Sequence, residues 1–340
     1  MTEQTKGALS RRKFVKTTAA AAIGASGAIA GFPAIAKPKH KLRYITIINR
    51  KTVWGKCYDF LAAEVDRMSG GELKIEYAGG SEVISGFDAP EAVAKGVFDM
   101  SHSANAYFAG AMPSSISLAS GTASIERLRE TGVLDAYADV LMQKRGVMLL
   151  GIPMSGVGYV FQVTFKPTDL STFKGRKIRS IPLYDPILEA LGSVPVTVAP
   201  AEAYTSMERG VVDGLGWPDI GLLDFKFYEH AKYIVSPTFY TLRSTHLLNP
   251  NSFKKLPKEL QDVLMKASRS ADKIGAAWCK KTRDEEHAVM KKHGLEIVEL
   301  PPADAKRFVD LTEEKLWAKI LKQSPENGAR LKVLFDKAAA

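Results

Sequence analysis

The chain has 340 residues, of which 46% are hydrophobic and 25% charged, so it can bury a full core and form two lobes. This composition argues against a disordered chain. The formal net charge is +10, but the basic residues are scattered among acidic ones over helical stretches. They form no single stripe with interleaved aromatic residues, which argues against a nucleic-acid-binding protein.

The N-terminal region has the features of a twin-arginine export signal. The segment "SRRKFVK" (10–16) is followed by an uncharged run of small residues (17–30) and by Ala34-Ile35-Ala36, which is typical of a cleavage site. We predict that residues 1–36 are a signal peptide, that the protein is periplasmic, and that the mature chain keeps a net charge of +6. The apolar run is short and rich in Ala and Gly, so a membrane anchor is not expected.

The next segments predict an α/β fold. A strand at 41–49, an amphipathic helix at 53–71 and a second strand at 72–80 form a βαβ unit, which predicts a parallel sheet.

Two later segments resemble each other. "KGVFD" (95–99) and "RGVVD" (209–213) each follow a helical segment that begins with Glu-Ala. Each copy predicts a helix, a glycine in left-handed conformation, a short buried strand and then a loop. The repeat therefore predicts two similar lobes.

The loops after the two copies are candidates for a binding cleft, because ligands in open α/β sheets bind beyond the carboxyl ends of the strands. The first loop contains Asn105 and Tyr107, and the second contains Trp217 and Asp219. The alternative is that these aromatic residues only close the loops onto the core.

The remaining segments predict strands at 146–153 and 158–165, a helix and a strand within 184–200, and one long helix at 258–294. A helix of this length suits a strut that touches both lobes, and the alternative is a hairpin of two helices broken near Gly275. We predict that lobe I comprises 37–156 plus 243–282, and lobe II comprises 157–242 plus 283–340.

Motifs of enzymes and metal proteins are missing from the mature sequence: it has no phosphate loop, dinucleotide fingerprint, HExxH, CxxC or GxSxG. Glu285, Glu286 and His287 are adjacent, but on a polar helix they indicate a solvated face. Cys57 and Cys279 can form a disulfide or remain as two buried free thiols. We expect no catalytic site, no cofactor and no metal.

The segment "FKGRKIRSIP" (173–182) places Arg179 within a predicted buried strand. The structural alternatives are a solvated arginine on an edge strand or an ion pair in the core. A guanidinium presents a rigid fork of donors that matches a carboxylate, and Trp217 could supply a flat apolar wall. Together they indicate an organic carboxylate between the lobes.

The segment "FKGRKIRSIPLYDPILEALGSVPVTVAPAEAYTSMERGVVDGLGWP" resembles the characteristic region of the substrate-binding proteins of TRAP (tripartite ATP-independent periplasmic) transporters of the DctP type. The similarity extends over essentially the whole mature chain. It implies an α/β, two-lobed, periplasmic-binding-protein-like fold with a central cleft and a long helix that spans both lobes. It also implies delivery of the ligand to a sodium-driven membrane component.

In this family the arginine of the K-I-R motif forms a salt bridge with the ligand carboxylate, and that position is Arg179. Many members have Glu-Asn-Pro where this chain has Gly216-Trp217-Pro218, and many sialic-acid and dicarboxylate members have a second arginine near residues 159–162. These differences favour a monocarboxylate with an apolar or aromatic body. The predicted ligand contacts are Arg179, Trp217, Phe161, Gln162, Tyr159, Tyr107, Asn105, Trp54, Phe87 and Asp219.

Two other functions are compatible with parts of the sequence. The paired lobes alone also suit a receptor of an ABC-type transporter. Twin-arginine signals often accompany cofactor proteins, so an exported enzyme is an alternative from another class.

Overall fold

The computed structural model describes residues 38–340, so the predicted signal peptide and its cleavage site lie outside the described residues. Among residues 38–340, no helix combines the length and the apolar character that crossing a bilayer requires. The strands are β1 (His40–Ile45), β2 (Leu73–Gly79), β3 (Met100–Ser103), β4 (Met148–Gly151), β5 (Ser155–Val163), β6 (Lys177–Ser180), β7 (Val194–Thr197), β8 (Gly214–Pro218), β9 (Tyr233–Ser236), β10 (Thr241–Arg243), β11 (Thr245–Leu248) and β12 (Glu296–Glu299). The α-helices are α1 (Lys56–Ser69), α2 (Ala89–Ala94), α3 (Ile125–Glu130), α4 (Val133–Arg145), α5 (Asp185–Ala190), α6 (Ala203–Glu208), α7 (Pro250–Lys254), α8 (Lys258–Lys292), α9 (Pro302–Gln323) and α10 (Pro325–Ala339).

The strands form two sheets. The first has the order β2-β1-β3-β11-β4, in which β1 is parallel to β2 and β3, while β11 is antiparallel to β3 and β4. The parallel pairing of β1 and β2 agrees with the predicted βαβ unit, because α1 connects these two strands.

The second sheet has the order β12-β9-β5-β8-β6-β7, and β10 also pairs with β5. Strand β6 is parallel to both of its neighbours, β7 and β8. Strand β5 is antiparallel to β8 and β9. The chain passes between the two sheets directly after β4 and again at Ser244, which separates β10 from β11.

The C-terminal helix α10 contacts the part of the chain that we assign to lobe I. Arg330 Nη2 in α10 lies 2.8 Å from Asp139 Oδ2 in α4. Arg127 Nη2 in α3 donates to the carbonyl oxygen of Lys337 at 3.1 Å. The C-terminal helices therefore do not pack on lobe II alone.

The two repeated segments have equivalent backbones. Gly96 and Gly210 are both left-handed, with φ of 75° and 66°. The strands, however, begin one residue after Asp99 and Asp213, and the valines that follow the glycines are about half exposed. The prediction of strands at 97–99 and 211–213 is therefore wrong by a few residues, and Trp217 lies within β8 instead of a loop.

The aspartates of the two repeats make the same long-range hydrogen bonds. Asp99 Oδ2 accepts from the backbone N–H of Arg43 at 2.7 Å, and Asp213 Oδ2 accepts from that of Lys177 at 2.8 Å. The backbone N–H groups of both aspartates donate in turn to the carbonyl oxygens of Arg43 and Lys177. Each aspartate thus connects the turn before its strand to the neighbouring parallel strand.

Helix α8 is continuous over 35 residues, so the alternative of two helices broken at Gly275 is wrong. Gly275 is buried, and a Cβ there would lie 1.8 Å from the carbonyl oxygen of Pro153. This glycine allows α8 to approach the connection between the sheets closely.

Helix α8 contacts both lobes. In its first half, Ser268 Oγ donates to the carbonyl oxygen of Leu150 in the first sheet at 3.1 Å. In its second half, Glu286 Oε2 accepts from the N–H of Leu222, which follows a strand of the second sheet, at 3.2 Å. The two-lobed fold with one spanning helix agrees with the prediction.

Candidate ligand-binding site

A cavity of about 480 Å³, a volume that includes space open to solvent, lies beyond the carboxyl ends of β1 and β3 in the first sheet and of β6 and β8 in the second. This is where open α/β folds bind ligands. The lining residues are Ile47, Ile48, Trp54, His102, Ala104, Tyr107, Tyr159, Arg179, Ile181, Tyr184, Trp217, Pro218, Leu242, Arg243 and Ser244. Both lobes therefore contribute to one mostly apolar and aromatic wall.

Arg179 is the charged side chain that strand β6 directs into this cavity, and only 1% of it is exposed. Its Nε donates to the carbonyl oxygen of Val198 at 3.0 Å, and its Nη1 donates to that of Gly216 at 3.1 Å. These two bonds orient the guanidinium and use two of its five N–H groups. Nη1 and Nη2 form the edge that can bind a carboxylate bidentately, and the hydroxyl group of Tyr184 lies next to this guanidinium.

No carboxylate of residues 38–340 forms an ion pair with Arg179. Two backbone carbonyl oxygens of the chain, those of Val198 and Gly216, are its hydrogen-bond acceptors. Carbonyl dipoles do not neutralise a buried cation, however, and such a cation is costly without an anion. Burial lowers the pKa of Arg179, but an arginine stays charged at neutral pH.

The aromatic residues around Arg179 are neutral. Its Cζ lies 5.0 Å from the centre of the Trp217 ring, which is a cation–π contact. Tyr107, Tyr159 and Tyr184 also line the cavity, and burial raises the pKa of all three hydroxyl groups. These tyrosines stay protonated, so they offer hydrogen bonds but no compensating negative charge.

Phe161 and Gln162 do not line the cavity, although both were predicted as ligand contacts. Phe161 stacks on Phe239 with ring centres 4.2 Å apart, inside the core. Gln162 is fully buried, and it points to the face of β5 opposite to that of Tyr159 and Phe161, because side chains alternate along a strand. Their predicted role in binding has no support from their positions.

Asn105 and Phe87 lie next to the cavity but do not line it. Asn105 Nδ2 donates to the carbonyl oxygen of Arg243 at 2.6 Å, so its amide fixes the connection between the lobes. Phe87 is 38% exposed and stacks on Tyr107 at 4.4 Å between ring centres. Phe87 thus supports a lining residue from outside.

Asp219 is also outside the lining, since its Oδ1 lies 2.6 Å from Nε2 of His287 in helix α8. The prediction that Glu286 and His287 belong to a solvated face is wrong. Glu286 is only 5% exposed, and burial raises its pKa to about 7. Both side chains instead attach α8 to the segment after β8.

Arg243 is a second buried arginine in the lining that was missed in the sequence. Its Nη1 donates to the carbonyl oxygens of Leu118 and Ser120, both at 2.7 Å. Its Nη2 donates to those of Gly121 and Ala123 at 3.0 and 2.7 Å. Since these four bonds occupy both terminal nitrogens, Arg243 holds the 118–123 segment and is not available as a second carboxylate clamp.

Within residues 38–340, no group of three or more His, Cys, Asp or Glu side chains is arranged to hold a metal ion. Cys57 and Cys279 are free and fully buried, which decides between the two alternatives for the cysteines. Burial raises the pKa of both thiols, to about 12 for Cys279.

Two α/β lobes, a helix that spans them and a cavity between them lined by a buried arginine are the arrangement of a solute-binding protein. Residues 45–324 match the model of the DctP family, described as bacterial extracellular solute-binding protein, family 7. The chain belongs to this family. It is a TRAP-transporter substrate-binding protein and not an enzyme. Family membership thus favours the predicted class over the two alternatives, an ABC-type receptor and an exported enzyme.

The chain is similar in sequence or in fold to several solute-binding proteins. It is 26% identical over 266 residues to a solute-binding protein of Albidiferax ferrireducens, covering 75% of this chain and 78% of that one. It is 26% identical over 226 residues to a monocarboxylate 2-oxoacid-binding periplasmic protein of a Nostoc species, covering 62% and 60%. A TRAP periplasmic solute-binding protein from Desulfovibrio salexigens, solved with orotic acid, has the same fold with a TM-score of 0.80 at 20% identity, covering 88% and 98%.

Proposed function

We propose that this protein captures a monocarboxylate with an apolar or aromatic body between its lobes, with Arg179 as the carboxylate clamp, and delivers it to a sodium-driven TRAP membrane component. The observation that supports the clamp is a buried guanidinium that lines the cavity, bonds to only two backbone carbonyl oxygens and forms no ion pair with a carboxylate of residues 38–340. Binding a carboxylate there satisfies both the charge and the remaining donors.

The preference for one carboxylate follows from the rest of the lining. Arg243 has both terminal nitrogens bonded to backbone carbonyl oxygens, and the other lining residues are apolar, aromatic or neutral polar side chains. A second carboxylate would lose its hydration without gaining hydrogen bonds from a cation, because the terminal nitrogens of Arg243 are already bonded. The relative from Nostoc, named for binding monocarboxylate 2-oxoacids, is consistent with this class.

Ligand binding is proposed to stabilise the closed arrangement, because a ligand at Arg179 also meets Trp54 and Tyr107 from the first lobe. The membrane component then receives the ligand from a protein exported by the twin-arginine pathway, after removal of residues 1–36.

The test begins with a thermal-shift screen of mono- and dicarboxylates, followed by calorimetry with Arg179→Lys and Arg179→Ala. Lysine lacks the bidentate fork, so both variants should lose at least about tenfold in affinity, the equivalent of ~1.4 kcal/mol. Arg179→Ala should also lower the melting temperature, since the carbonyl oxygens of Val198 and Gly216 lose their donors.

The matched control is Arg176→Ala, three residues earlier, where the side chain is exposed and lies 3.8 Å from Asp213. This variant should bind every carboxylate with unchanged affinity. Unchanged affinity in both Arg179 variants would refute the clamp. A preference for succinate over every monocarboxylate would refute the proposed ligand class.

A further inference from the structure

The cavity lining also includes a histidine, His102, that has no role in the proposed carboxylate clamp. His102, in β3 of the first lobe, is 1% exposed and lines the cavity. Neither Nδ1 nor Nε2 has a hydrogen-bond partner among residues 38–340. Buried polar atoms without partners are uncommon and costly in native proteins, so this imidazole is a candidate contact for a ligand group.

The chemistry of His102 restricts what it can bind. Burial lowers its pKa to about 3, so the ring is neutral under all conditions in which the protein is expected to work. A neutral imidazole has one N–H donor and one nitrogen acceptor. It therefore offers nothing to a second carboxylate as a counter-ion, but it matches a group that both donates and accepts.

The surroundings of His102 favour a polar ligand group that is attached to an unsaturated or aliphatic part of the ligand. The indole of Trp54 stacks over the imidazole at 6.3 Å between ring centres with an interplanar angle of 17°. Ser244 Oγ is a further cavity-lining polar atom without a hydrogen-bond partner in the described part of the chain. A hydroxyl group can donate to one of these polar atoms and accept from the other.

We infer that His102 and Ser244, which line the same cavity, form a neutral polar subsite that binds a hydroxyl group of the ligand, so that the ligand is a hydroxy-monocarboxylate. This inference rests on the proposed function, since Arg179 holds the other end of the same molecule. The clamp selects for one negative charge, and the His102 subsite selects among acids that share this charge.

A histidine on the neighbouring strand supplies an internal control. His246 in β11 lies directly opposite His102 in the sheet register, with ring centres 6.4 Å apart, and both of its nitrogens also lack partners in residues 38–340. His246 does not line the cavity and packs against Tyr44 instead. A hydrated pair of histidines with a purely structural role would involve both residues equally, whereas a ligand subsite involves His102 alone.

The experiment measures affinities by calorimetry for matched pairs of acids: butyrate against 2-, 3- and 4-hydroxybutyrate, and phenylacetate against 4-hydroxyphenylacetate. The unsubstituted protein should bind at least one hydroxylated acid about tenfold more tightly than its parent. His102→Leu should abolish this ratio, because leucine offers neither a donor nor an acceptor. His102→Gln, which keeps a donor and an acceptor, should retain part of it.

The ratio of two affinities in one variant is independent of the fraction of protein that folds, so a destabilised variant remains informative. His246→Leu should keep the full ratio. The inference is overturned if no hydroxylated acid binds better than its parent, if His102→Leu keeps the ratio, or if His246→Leu loses it to the same extent. The proposed function fails separately, through Arg179, if none of these acids binds in an Arg179-dependent way.

Discussion

Asp224 is expected to contribute to lobe closure, because it forms a hydrogen bond between the two halves of the molecule. Its Oδ2 accepts from the backbone N–H of Val53 at 2.6 Å, where Val53 precedes α1 and Asp224 follows β8. Val53 begins a short 3₁₀ helix (Val53–Gly55) whose preceding residue, Thr52, provides no side-chain cap. Asp224 therefore caps this helix from the opposite lobe.

The magnitude follows from the type of bond and its exposure. A hydrogen bond to a charged group contributes about 1.5–3 kcal/mol, but Asp224 is exposed, and solvent screening reduces this to about 1 kcal/mol. Since the bond exists only when the lobes are together, Asp224→Ala should weaken ligand binding about fivefold. Asp224→Asn keeps an acceptor oxygen and should lose less.

The assay is calorimetry with the tightest carboxylate from the screen, together with small-angle scattering of the ligand-free protein. Asp262→Ala is the control, because Asp262 is a surface carboxylate on α8 that pairs only with Lys258 at 2.8 Å. If Asp224→Ala binds the carboxylate as tightly as the Asp262→Ala control and its radius of gyration is unchanged, the hydrogen bond from Val53 to Asp224 does not contribute to lobe closure.

Two further predictions concern helix α8. Burial raises the pKa of Glu286 to about 7 from an ordinary value of 4.5, so its contribution to stability is complete below about pH 4.5 and is lost as the pH rises through 7. Glu286→Gln still accepts from Leu222 but does not ionise, so its melting temperature relative to the unsubstituted protein should rise between pH 5 and pH 8; a constant difference would contradict this. Gly275→Ala would place a Cβ 1.8 Å from the carbonyl oxygen of Pro153 and should cost about 3 kcal/mol of unfolding free energy, whereas Gly110→Ala meets no atom within 4 Å. Equal melting temperatures for these two alanine variants would show that α8 adjusts freely.

The elements that depend on local sequence signals were predictable. The βαβ unit, the glycine-capped repeats and the long helix all follow from hydrophobic periodicity and from glycines at helix ends. The start of β3 and β8 was misplaced because it depends on the carboxylates of Asp99 and Asp213, which bind backbone groups of strands far away in the chain. Such contacts have no local pattern.

Two residues of the site, Arg179 and Trp217, were predictable because both the local sequence pattern and the family resemblance indicated them. Arg243 was missed because its acceptors come from a segment more than one hundred residues earlier. His102 was not predicted as a ligand contact, although its position three residues after Asp99 in the repeat could have placed it at the carboxyl end of a strand. Phe161 was placed in the site because it lies where many family members have a second arginine, but in the structure it packs in the core against Phe239.

We propose that an organic carboxylate binds at Arg179. A crystal structure of the protein with the carboxylate that binds most tightly in the screen would show whether it does. We predict that both carboxylate oxygens lie about 3 Å from Nη1 and Nη2 of Arg179, with the bonds from Nε to Val198 and from Nη1 to Gly216 retained. A carboxylate bound elsewhere in the cavity, with Nη2 of Arg179 still free, would contradict the account.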